Sequence, residues 1–118
     1  MAGYKITKAD EYYTYEAPGH KECKLTRLHD PADVDGGKVI FSKSHFLPAG
    51  GGTEFASNTA ESIYYCEHGK LLFKGEDGVE TLLEAGDSVH IAAGSPKCVT
   101  NVGVDTAIML VVLLPAAQ

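Results

Sequence analysis

Two stretches decide how this chain folds. The first is Gly50-Gly51-Gly52-Thr53-Glu54-Phe55-Ala56-Ser57-Asn58-Thr59-Ala60-Glu61-Ser62-Ile63-Tyr64-Tyr65-Cys66-Glu67-His68-Gly69, and the second is Gly86-Asp87-Ser88-Val89-His90-Ile91-Ala92-Ala93-Gly94-Ser95-Pro96-Lys97-Cys98-Val99-Thr100-Asn101. Both are framed by glycine and hold segments of strand length and strand composition: Ser62–Cys66 in the first, Ser88–Ala92 and Cys98–Asn101 in the second. Working outward, the same texture recurs in Cys23–Leu28, Lys38–Leu47, Lys70–Phe73, Val79–Leu83 and Thr106–Leu114. Short β-prone segments separated by turn signals every ~8–12 residues predict an all-β sandwich or barrel. Lys70–Phe73 and Val79–Leu83 flank a turn carrying Asp77-Gly78, which predicts a hairpin. Only Thr7–Tyr15 could begin a helix, with Thr7 as its cap, and the β-prone Tyr12–Tyr15 run limits it to one turn.

Length and charge narrow the classes. The 118 residues suit one domain, and 44% apolar with 22% charged residues is a globular composition. A net charge of −6 without a basic cluster argues against nucleic acid and anionic membrane surfaces as partners. Three cysteines and five histidines could furnish a metal site, but Cys23, Cys66 and Cys98 lie far apart without a C-x-x-C pair. No charged-then-apolar leader opens the chain, and the apolar run Ala107–Pro115 is too short to span a bilayer. These features predict a reducing, cytoplasmic location.

From Gly50 onward the spacing resembles the cupin family, whose two glycine-framed motifs line a small antiparallel barrel or jelly roll. The first cupin motif, residues 50–69, keeps the frame Gly50, five residues, Ala56-x-Asn58, three residues, Ser62, six residues, Gly69. The second, residues 86–101, keeps Gly86, five residues, Ala92-x-Gly94, two residues, Lys97, three residues, Asn101. The resemblance implies a single cupin domain over 1–118, with residues 1–22 as an N-terminal arm of edge strands. Met1–Ile6 are expected to be a loose terminus or a strand exchanged with a partner. It also implies a homodimer, with which the chain is compatible: Thr106–Leu114 is apolar on both faces, and either a partner subunit or the chain's own N-terminal strands would cover the outer one.

Cupins ordinarily place three histidines and a glutamate on a divalent metal, at the positions held here by Ala56, Asn58, Ser62 and Lys97. Alanine has no donor atom, serine and an amide are poor ligands, and an ammonium repels a cation. No metal and no cofactor are therefore expected, and the family's metal-dependent chemistry does not transfer. Strand alternation points Glu54, Ala56 and Asn58 inward, then Ser62, Tyr64 and Cys66, with Lys97 and Val99 facing them. Lys97 is the central expectation. Burial lowers a lysine's pKa, so its amine could form a Schiff base, act as a base, or clamp a carboxylate when charged. Structural alternatives are an ion pair with Glu54 or escape through the barrel mouth.

Candidate catalytic residues are thus Lys97, Glu54, Tyr64 and His45, the last only if it looks inward. Candidate substrate-binding residues are Asn58, Ser62, Cys66 and, under the same condition, His90. Glu61 is expected to point outward, and His20, His29 and His68 read as turn residues. The resulting expectation is a metal-independent enzyme acting on a small carbonyl or carboxylate compound: an isomerase, dehydratase, decarboxylase or aldol-type lyase. A non-catalytic small-ligand binding or sensor module is the alternative.

Overall fold

The structure is a computed structural model that describes residues 3–116. Among those residues the strands are β1 (Tyr13–Tyr15), β2 (His20–Lys21), β3 (Cys23–His29), β4 (Ile40–Phe46), β5 (Gly52–Thr53), β6 (Glu61–His68), β7 (Leu71–Lys74), β8 (Glu80–Leu83), β9 (Ser88–Ile91), β10 (Cys98–Asn101) and β11 (Ala107–Leu114). They form a six-stranded sheet ordered β1-β3-β4-β11-β6-β9 and a five-stranded sheet ordered β2-β5-β10-β7-β8. All pairings are antiparallel. This is the all-β, two-sheet antiparallel jelly roll that the glycine frame implies.

Side-chain alternation builds the interior. Ser42, Ser44 and Phe46 of β4, Ser62, Tyr64 and Cys66 of β6, and Ala107, Met109 and Val111 of β11 all turn toward the opposing sheet. There they meet Leu71, Leu83 and Val99. Burial of these side chains is the main favourable contribution to folding, each fully buried large aliphatic stabilising by roughly 1.5–3 kcal/mol.

The motif residues have structural work of their own. Gly69 ends β6 with φ +85°, and a Cβ there would stand 2.9 Å from the Ala107 Cα, so both conformation and space exclude a side chain. Asn101 is buried and uses its whole amide. Its Nδ2 donates to the carbonyls of Phe46 (2.9 Å) and Asp105 (2.8 Å), and its Oδ1 accepts from the Gly103 N–H (2.8 Å). The β7–β8 hairpin forms with Lys74 opposite Glu80, and the Asp77 carboxylate accepts from the Val79 N–H (3.0 Å).

One local expectation needs correcting, the cap of the N-terminal turn. The helical turn spans Ala9–Glu11, and its first backbone N–H, that of Lys8, donates to the Glu11 carboxylate (2.8 Å), so Thr7 is not the cap. Thr7 instead lies against His29 (3.4 Å). The two-residue strands β2 and β5 are too short for any periodicity to reveal. Met1 and Ala2 lie outside the described residues, and Gly3–Ile6 contribute no strand.

Candidate functional site

The two motifs are clasped together at one end of the barrel. The Ala56 N–H donates to the Lys97 carbonyl (3.1 Å), the Lys97 N–H returns a bond to the Ala56 carbonyl (3.0 Å), and the Gly94 N–H donates to the Asn58 carbonyl (2.8 Å). Thr53 Oγ1 adds a bond from the Val99 N–H (3.1 Å). Lys97 therefore sits directly opposite the first motif, held there by backbone that has little freedom to shift.

A pocket of about 150 Å³ opens at this clasp, bounded by Lys97, Tyr64, Thr53, Glu54, Asn58 and the Pro18–His20 segment. Lys97 is only 7% exposed and takes part in none of the ion pairs among the described residues, although Glu54 shares the pocket. Burial lowers its pKa from the ordinary lysine value, because the ammonium loses hydration without gaining a counter-charge. Tyr64 is buried beside it, and burial, with a smaller contribution from Tyr15, pushes its phenol up to about 12. The phenol stays protonated and can donate a hydrogen bond.

The other expected residues divide. Glu54, Ala56 and Asn58 line the pocket but are exposed at its rim rather than enclosed in the barrel. The Asn58 side chain is occupied in part, accepting from the Ala60 N–H (2.8 Å). Ser62 and Cys66 point inward yet lie away from the pocket lining. The Ser62 hydroxyl turns to the Ala60 carbonyl (3.5 Å), and the Cys66 thiol faces the carbonyls of His68 and Gly69 (3.7 and 3.6 Å). Burial raises the Cys66 pKa, with Asp87 adding to it, which keeps the thiol un-ionised.

His45 and His90 do not face the pocket. On β4 the inward positions belong to Ser42, Ser44 and Phe46, which leaves His45 on the outer face opposite Lys24 and Ile108. Its pKa is lowered by burial first, then by Lys43 and Lys24, and its Nδ1 is enclosed without a hydrogen-bond partner. His90 is exposed and pairs through Nε2 with the Glu61 carboxylate (2.6 Å), so Glu61 points outward as its parity predicts.

His20 is the pocket residue that the sequence reading missed. A turn histidine next to Gly19 carries no local signal, and only the pairing of β2 with β5, His20 against Thr53, delivers it to the barrel mouth. The Glu54 N–H donates to the Gly19 carbonyl (2.7 Å), which fixes that segment over the pocket.

The four positions at which cupins hold a metal do not fit one here. Ala56 offers no donor, the Asn58 oxygen is engaged by its own turn, Ser62 lies outside the pocket lining, and Lys97 brings a cationic group. Among the described residues no three His, Cys, Asp or Glu side chains converge as a ligand cluster.

Comparison with known proteins accords with the fold. The family model described as Cupin domain matches residues 44–113. A curated Mycobacterium tuberculosis protein, Beta-D-galactosidase Rv1717, is 32% identical over 115 residues, 97% of each chain. Among solved structures, the polyketide cyclase RemF from Streptomyces resistomycificus superposes with a TM-score of 0.78 at 22% identity, over 95% of this chain and 80% of that one. KdgF from Halomonas sp. gives 0.76 at 13% identity over 96% of each chain. Identities this low establish the shared fold alone.

Proposed function

The chain belongs to the cupin-domain family, and from that premise we propose that it is a metal-independent enzyme whose Lys97 pocket performs proton-transfer chemistry on a small sugar or other carbonyl or carboxylate compound. The observation that carries this reading is a buried lysine without an ion-pair partner, facing a pocket that also holds a carboxylate and a buried phenol. A lysine with a lowered pKa has more neutral amine available near neutrality, and a neutral amine is a base.

The Lys97 amine takes a proton from the carbon next to the substrate carbonyl, the C–H electron pair becomes a carbon–carbon double bond, and the carbonyl π pair moves onto the oxygen. Tyr64 donates a hydrogen bond to that oxygen and stabilises the developing charge. In a 2-hydroxy carbonyl substrate, return of the proton from Lys97 to the former carbonyl carbon, with the proton of the adjacent hydroxyl passing to the former carbonyl oxygen, completes an isomerisation. Departure of an oxygen substituent protonated by Glu54 completes an elimination.

A second reading is hydrolysis of a β-galactoside, favoured by the full-length similarity to the mycobacterial galactosidase. In that case Glu54, in its protonated form, gives its proton to the glycosidic oxygen as the C–O bond breaks, and water adds to the anomeric carbon, its released proton returning to Glu54. We also propose a homodimer and a reducing compartment. The exposed outer-face Ile63 and Tyr65 support the first, and the three free cysteines support the second.

Metal-depleted protein in D₂O with a panel of aldoses, ketoses and 2-oxo acids tests the first reading by NMR. Deuterium should enter beside the carbonyl, with a loss of about 10²-fold or more in Lys97→Gln. Equal exchange in both proteins contradicts it. Release of nitrophenol from nitrophenyl β-D-galactoside, abolished in Glu54→Gln, selects the hydrolytic reading. Saturable binding without turnover selects a binding module.

A further inference from the structure

A second cavity of about 330 Å³ is lined in part by Tyr15, Glu16, Lys21, Glu22 and Cys23, and His20 is common to its wall and that of the Lys97 pocket. We infer that the barrel mouth is a two-compartment cleft, in which the Lys97 pocket takes the reacting unit, the outer cavity takes a second hydroxyl-rich ring joined to it, and His20 reads the junction. The inference rests on the proposed function in placing the reacting unit beside Lys97 and in taking that unit to be a sugar.

Size supports the division. At about 150 Å³ the inner pocket falls below the ~300–1,000 Å³ common for ligand sites, whereas the two compartments together fall within that range. Chemistry supports the occupant. The outer wall offers the Tyr15 ring and the carboxylates of Glu16 and Glu22, that is, an apolar surface for a ring face and acceptors for hydroxyl donors. Arg27 lies 4.3 Å from the Tyr15 ring centroid and steadies the ring by a cation–π contact.

The histidine's role follows from its hydrogen bond. His20 Nδ1 lies 3.0 Å from the Pro18 carbonyl, which can only accept, so Nδ1 carries the proton. In the neutral ring Nε2 then keeps its lone pair and accepts from a substrate hydroxyl. Exposure of His20, Glu16 and Glu22 means that substitution there disturbs little packing.

Titration calorimetry with galactose and lactose tests the arrangement. Lactose should bind the wild type about 10-fold or more tighter than galactose, about 1.4 kcal/mol. The double variant Glu16→Ala/Glu22→Ala should remove most of that advantage and leave galactose affinity within about twofold, whereas His20→Ala, at a residue that borders both compartments, should weaken lactose by more than it weakens galactose. Lys97→Gln should weaken both sugars together. Galactose binding with no preference for lactose, or a preference that survives both outer variants, overturns the inference and leaves the Lys97 reading standing. Failure of the wild type to bind either sugar overturns the inference together with a sugar substrate for the pocket.

Discussion

Lys97 and Ala56 exchange both of their backbone hydrogen bonds, at 3.0 and 3.1 Å, across the two glycine-framed motifs. In the family pattern both positions hold metal-ligating histidines; here one is a methyl group and the other a buried amine. The backbone that would converge four ligands has been kept. What converges instead is a lysine, a carboxylate and a phenol around a small pocket.

Burying an unpaired cation costs stability, so relieving it should show. Lys97→Met keeps the stem and removes the charge. It should stabilise the protein by about 1–3 kcal/mol in denaturant titration while abolishing turnover. The wild type should also gain stability relative to this variant as pH rises through the window between the lowered folded pKa of Lys97 and the ordinary lysine value. In that window the unfolded chain holds the extra proton.

Tyr64 should produce the opposite slope. Its phenol is raised from 10.0 to about 12 by burial, so the unfolded chain ionises first. Stability from this group is complete below pH 10 and falls toward pH 12, by about 2–3 kcal/mol in all. Tyr64→Phe should remove that alkaline loss, read from the denaturant midpoint at each pH.

Asn101 joins β10 to the end of β4 and to the loop before β11 through three bonds of its amide. Asn101→Ala leaves two carbonyls and an N–H without their partners. It should cost about 2–4 kcal/mol, with the pocket residues otherwise unchanged.

The outer face of the six-stranded sheet carries exposed Ile63, Tyr65 and Leu114 beside half-buried Ile108, Leu110 and Val112. A second copy packed on this face should give twice the chain mass in light scattering. The double variant Ile63→Lys/Tyr65→Lys should shift that mass to one chain. A single-chain mass in the wild type contradicts the dimer.

The fold was legible because its signals are local. Glycines such as Gly69 stand where a left-handed φ or a close approach admits nothing else, and strand alternation set Ser62, Tyr64, Cys66, Lys97 and Val99 inward. Lys97 was legible for the same reason, as a change of residue inside an intact frame. The site's rim was not. His20 reaches the pocket through a two-residue strand pairing far away in sequence, and Glu54 and Asn58 lie on an irregular turn where alternation has no force. His45 and His90 sit on strands whose two faces are equally mixed in residue type, so only the pairing register assigned them outward.

The most direct test of the central claim is turnover on the substrate identified, measured with wild type and Lys97→Gln after chelation and elemental analysis. The account predicts full activity without a stoichiometric metal, and a loss of about 10²-fold or more in the variant. Activity that vanishes on chelation and returns only with a divalent metal, or a fully active Lys97→Gln, contradicts it.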